Sequence, residues 1–176
     1  MPQLIFVLLS LIPLLLSLFV LTLMIGNLFG PPFVPIQKKV LEMILKRAKL
    51  KKGQIVYDLG SGDGRVIRLA VRKYRVRGYG VEINPFLVAY SRIISKLRGI
   101  KDCHFLNKNF FDCDFSKAEV IFVYLLPQYL SKLKNKLIGE CRKGTLIVSW
   151  KFPVEGWERY LYQRAGKEKV SYFYRL

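Results

Sequence analysis

The chain has 176 residues, room for one ordinary domain and an appendage. Thirty Lys and Arg against twelve acids leave a formal charge of +18, which draws a protein to anionic lipid or nucleic acid without choosing between them. The single histidine, His104, excludes a His-based catalytic triad and a zinc site built on several histidines. No metal site is expected, and Cys103, Cys113 and Cys141, an odd set without paired spacing, read as free thiols.

Residues 1–29 come first. From Pro2 to Phe29 there is no charged side chain, and Leu, Ile, Val and Phe dominate. About 20 apolar helical residues cross a bilayer core, so the run reads as one membrane-spanning anchor, with Pro13 tolerated inside it. It lacks the positive start and small-residue cut site of a cleaved signal. The basic residues beyond it, from Lys38 to Lys52, belong on the cytoplasmic side. The expectation is a single-pass protein at the lipid bilayer, its domain facing the cytoplasm. Residues 30–52 form a linker and an amphipathic helix: Gly30-Pro31-Pro32-Phe33-Val34-Pro35 breaks the first helix, then Val40, Leu41, Ile44, Leu45 and Ala48 share one face.

From residue 53 to 176 strands and helices alternate. Strands are expected at Ile55–Leu59, Tyr79–Ile83, Cys103–Leu106, Glu119–Tyr124 and Thr145–Trp150. Helices are expected at Arg65–Tyr74, Pro85–Leu97 and Gln128–Leu137. That order predicts an α/β fold, a Rossmann-like doubly wound and mostly parallel sheet. The tail, Trp157–Tyr162 and Val170–Tyr174 around Arg164-Ala165-Gly166-Lys167, predicts an antiparallel edge hairpin.

The chemistry gathers where the first strand ends. Asp58-Leu59-Gly60-Ser61-Gly62-Asp63-Gly64 sets glycines at alternate positions, so a ligand can approach bare main chain at a helix N-terminus. A dinucleotide loop would need its third glycine at residue 65, which is Arg65. The flanking Asp58 and Asp63 disfavour a pyrophosphate and favour a cationic nucleoside, S-adenosylmethionine. Glu82 ends the second strand, where a carboxylate can accept bonds from ribose hydroxyls. Asn109 and Phe110, after the third strand, are candidates to bracket the adenine by hydrogen bonding and stacking. Cofactor binding is thus expected of Asp58, Gly60, Ser61, Gly62, Asp63, Glu82, Asn109 and Phe110. Tyr124, Leu125 and Pro127, after the fourth strand, are the expected acceptor side. That loop has a proline but no Asn or Asp, so it suits an amine better than a planar nitrogen.

The glycine loop with Val81-Glu82 resembles the class I, seven-strand methyltransferases. The apolar run before Pro31–Pro35, Tyr57–Arg65, Gly80–Val88, Val123–Gln128 and Gly144–Pro153 together resemble single-span protein lysine methyltransferases. Eukaryotic members of that family are the mitochondrial enzymes acting on the ATP synthase c-subunit and the adenine nucleotide translocase. The resemblance implies methyl transfer to a lysine of a membrane protein, and departs from the family in a short region after the fifth strand. Two other readings stay open: an RNA methyltransferase, motivated by the charge, and a non-enzymatic membrane-tethered interaction module. A lipid or small-molecule amine is a further possible acceptor.

Overall fold

The structure, a computed structural model, describes residues 9–21, 34–166 and 170–176. Residues 9–21 are helical (α1), and all are exposed. Among the described residues no helix is long and apolar enough to cross a membrane. The rest of the expected anchor, and Pro31 to Phe33, lie outside the described residues.

Helix α2 (Lys38–Ala48) buries Leu41, Ile44, Leu45 and Ala48, the face its sequence periodicity marks. Strand β1 (Ile55–Leu59) and helix α3 (Arg65–Tyr74) keep their expected bounds. Then come β2 (Arg77–Glu82), α4 (Pro85–Leu97), β3 (Cys103–Asn107), β4 (Val120–Val123), α5 (Pro127–Glu140) and β5 (Leu146–Trp150). Asn84 caps α4: its Oδ1 accepts from the N–H groups of Phe86 and Leu87, and Pro85 follows in the first turn.

β6 (Leu161–Ala165) and β7 (Ser171–Arg175) complete a seven-stranded sheet in the order β3-β2-β1-β4-β5-β7-β6. Strands β1 to β5 are parallel, while β7 runs antiparallel to both β5 and β6. The expected hairpin is present, with one correction. Its first strand begins at Leu161, because Glu158–Tyr160 forms a 3-10 turn below the buried Trp157. That turn occupies the short region after β5.

Alternate residues of each strand face opposite sides. Val56, Phe122 and Val148 pack under α2, α3 and Val88 of α4. Ile121, Val123 and Ile147 pack with Leu130, Leu133 and Leu137 of α5. β4 is buried along its whole length, as a central parallel strand should be. The result is a mixed sheet covered by helices, a Rossmann-like fold, with the glycine loop at the carboxyl ends of the parallel strands.

Candidate active site

Gly60, Gly62 and Gly64 all have left-handed backbones, with φ of 75°, 53° and 76°. The bend they make is fixed against the next strand. The N–H groups of Gly60 and Ser61 both donate to the Val81 carbonyl, at 2.9 and 3.0 Å. The Gly62 N–H donates to Glu82 Oε2 at 2.9 Å, while Oε1 accepts from Asn84 N–H at 2.9 Å. Glu82 therefore ties the loop to the start of α4. Each carboxylate oxygen has two lone pairs, so acceptor capacity remains for ribose hydroxyls.

Asp58 is 6% exposed. Burial, then the neighbouring Glu82 and Asp63 carboxylates, push its pKa from 3.8 to about 8. Among the described residues no cationic side chain lies within ion-pair distance of it. Ser61 Oγ is buried without a hydrogen-bond partner among the described residues. A buried acid without a counter-cation, a second acid one strand over and a main-chain cradle between them fit a ligand carrying positive charge and hydroxyls. They fit a pyrophosphate poorly, since binding a cationic group is what would let the buried Asp58 ionise.

The expected acceptor side lies at the ends of β4 and β5. Tyr124 shares a small cavity with Asp58, Trp150, Ile36 and Ile44. The Tyr124 and Trp150 rings are 4.3 Å apart, and Tyr124 stacks on Phe152 at 6.4 Å. Lys151 makes this arrangement possible. Its φ of 73° turns the chain sharply after Trp150, a strained choice for a residue with a side chain. Ser149 Oγ closes the turn by donating to the Phe152 carbonyl at 2.6 Å. Trp150 Nε1 is buried without a hydrogen-bond partner among the described residues. Leu125 lies under the loop, 3.3 Å from where a Cβ on Gly60 would stand.

The structure thus brings Asp58, Gly60, Ser61, Gly62, Glu82, Tyr124 and Leu125 together. Four expected residues stand outside this group. The Asp63 carboxylate is forked onto Arg65, with Oδ2 2.7 Å from Nη2 and Oδ1 3.0 Å from Nε. The Phe110 ring is buried beside Leu59, Val81 and Phe111, so the stacking face expected of it is not offered; its main chain remains. Asn109 Oδ1 accepts from Phe111 N–H at 3.0 Å and caps the short 3-10 turn Phe110–Asp112. Pro127 is the exposed first residue of α5, a helix-starting position. Residues not anticipated from the sequence are Trp150, Phe152 and Ile36, along with Asn107, whose Nδ2 donates to the carbonyls of Glu82 and Ile83.

A model of the ANTKMT methyltransferase domain matches residues 58–160, from the buried acid to the 3-10 turn. The chain belongs to this family. It is an S-adenosylmethionine-dependent methyltransferase of the protein-lysine N-methyltransferase group. A protein-lysine N-methyltransferase of Saccharolobus islandicus (strain REY15A) is 38% identical to it over 128 residues, 72% of this chain and 80% of that one. The human lysine N-methyltransferase of the ATP synthase c-subunit is 32% identical over 127 residues, 72% of this chain and 54% of its own. The methyltransferase thus spans about half the length of the human relative. Among solved structures, an RNA methyltransferase from Salinibacter ruber bound to S-adenosyl-L-homocysteine superposes with a TM-score of 0.77 at 35% identity. The match covers 81% of this chain and 93% of that one.

Proposed function

We propose that this methyltransferase methylates a lysine side chain of a membrane-associated protein, held at the bilayer by residues 1–29 with its domain on the cytoplasmic side. The observation that carries the acceptor assignment is the aromatic cluster of Tyr124, Trp150 and Phe152 beside the buried Asp58. Supporting the membrane side are the exposed apolar side chains of α1, Leu15 at 65% among them. The names of the relatives agree with it: the human one acts on the ATP synthase c-subunit, and a mouse one on the adenine nucleotide translocase.

When bound, S-adenosylmethionine supplies an electrophilic methyl group on a sulfonium. Glu82 would hold the ribose hydroxyls, and Gly60 to Gly62 would let the nucleoside lie on main chain. Asp58 would face the cationic end. A lysine ammonium must lose a proton before it attacks, against a reference pKa of about 10.4, and a dry apolar surround would lower that value by disfavouring the cation. Tyr124 and Trp150 would flank the lysine stem and orient the free amine. Holding two reactants in line reaches effective molarities of about 10⁵ M or more, so positioning needs little further chemistry.

A pH dependence follows from Asp58. The folded carboxyl keeps its proton to about pH 8, whereas the unfolded one releases it near 3.8, so the ligand-free protein loses stability as pH rises through that interval. A cationic ligand favours the ionised carboxylate, so its binding expels the proton. S-Adenosylmethionine affinity is therefore expected to rise about tenfold between about pH 6 and pH 7, and Asp58→Asn to flatten the rise. Calorimetric titration of both proteins at the two pH values checks it; an equal slope in the variant would remove Asp58 from the site.

RNA is the second reading, favoured by the +18 charge and by the Salinibacter ruber structure. The loop after β4, Tyr124-Leu125-Leu126-Pro127, lacks the Asn or Asp that would hold a planar base nitrogen. The deciding experiment incubates the enzyme and tritiated S-adenosylmethionine with membranes and with total RNA of its own organism. Label recovered as methyl-lysine in a membrane protein is the expected result. Label released from RNA by base hydrolysis, with none in protein, would reverse the assignment.

A further inference from the structure

A cavity of about 560 Å³ lies between α2, α3 and α4, apart from the small cavity beside Tyr124 and Trp150. Five cationic side chains, Lys38, Arg65, Arg68, Arg72 and Arg98, line it against one acid, Asp63. Arg65, Arg68 and Arg72 recur at steps of three and four, so one face of α3 carries all three. Asp63 is already spent on Arg65. Among the described residues, the other four cations meet no carboxylate within ion-pair distance.

Arg68 makes the imbalance informative. It is only 7% exposed, and its Nη1 donates to the main-chain oxygen of Asp63 rather than to a carboxylate. Burial holds its pKa below the ordinary guanidinium value; the Asp63 charge opposes that shift and Arg98 adds to it. A buried cation is costly unless paired, and these neighbours repel it. Guanidinium forks match the oxygens of a phosphate, and Tyr90 lines the same cavity.

We propose that this cavity is a second ligand site, which takes the phosphate group of an anionic phospholipid. Free phosphate esters share that chemistry. The lipid source is favoured because Lys38, at the cavity wall, opens the helix that follows the exposed apolar α1 in the chain. The two sites are then opposite in sign: acids at the cofactor loop, guanidiniums beyond Arg65. Phosphate is repelled from one and drawn to the other.

The test uses the full chain and the double variant Arg72→Ser/Arg98→Ser, both exposed positions. Lys132→Ser/Lys143→Ser, also exposed, removes the same charge outside the cavity. Glycerol 1-phosphate titrated into detergent-solubilised protein should bind saturably. Binding should weaken about tenfold or more in the arginine variant and stay unchanged in the lysine variant. In phosphatidylcholine nanodiscs, adding phosphatidylglycerol should slow phenylglyoxal modification of Arg72 and Arg98, read by mass spectrometry. Equal weakening in both variants, or no saturable binding, would reduce the cavity to a generally basic face and overturn the proposal. Protection by glycerol 1-phosphate or by RNA without protection by phosphatidylglycerol would overturn the lipid source.

Discussion

Replacing Glu82 with alanine is expected to weaken S-adenosylmethionine binding by roughly a hundredfold while the sheet stays folded. The size comes from what the carboxylate holds. Its two oxygens accept from Gly62 N–H and Asn84 N–H, each at 2.9 Å, so it pins the glycine bend and the start of α4 together. The side chain is half-buried at the end of β2, with lone pairs left for a sugar. A hydrogen bond to a charged group contributes about 1.5–3 kcal/mol, and alanine would remove the proposed ribose bonds together with the pinning of the loop. Glu82→Gln keeps one acceptor oxygen but turns an NH₂ toward a main-chain N–H, so an intermediate loss is expected. Calorimetric titration at one pH reads all three proteins. Affinity within twofold of the wild type in Glu82→Ala would place the nucleoside elsewhere.

Local signals carried much of this site into the sequence. The bounds of β1 and α3 are legible because an apolar run, a glycine bend and a 3.6-residue period follow one another without interruption. The place of Glu82 is legible for the same reason: an apolar strand ends on it, beside the glycine bend it holds. What sequence reasoning missed is non-local. Trp150 and Phe152 reach Tyr124 only because β5 pairs with β4 and because Lys151 adopts a left-handed backbone, which no residue type announces. Phe110 and Phe111 are adjacent and equally apolar, and packing against Leu59 and Val81 decides which ring is buried. The 3-10 turn at Glu158 likewise follows from the burial of Trp157 under Tyr174, a contact between distant parts of the chain. The charge of +18 is visible by counting, but its convergence on one face of α3 depends on how α2 and α4 pack beside it.

The largest loss of stability is expected from Gly64→Ala, about 2–5 kcal/mol. Two costs add. Gly64 has φ of 76°, where a side chain costs about 1–2 kcal/mol. Its Cβ would also stand 2.5 and 2.6 Å from atoms of the Phe105 ring and 2.8 Å from Ser91 Oγ. Phe105 is not free to yield, because it is buried and the same ring edge also lies against Gly80, where a Cβ would stand 2.6 Å away. Overpacking a filled core costs about 1–3 kcal/mol. Gly53→Ala separates the two terms: its φ is 82°, and among the described residues a Cβ there meets nothing within 4 Å, so it carries the backbone cost alone. In urea, both variants should shift the midpoint of unfolding with little change in slope, Gly64→Ala by the larger amount. Equal shifts would mean that the Phe105 ring gives way, and that the glycine is required for the bend and not for the close approach of β3 to the loop.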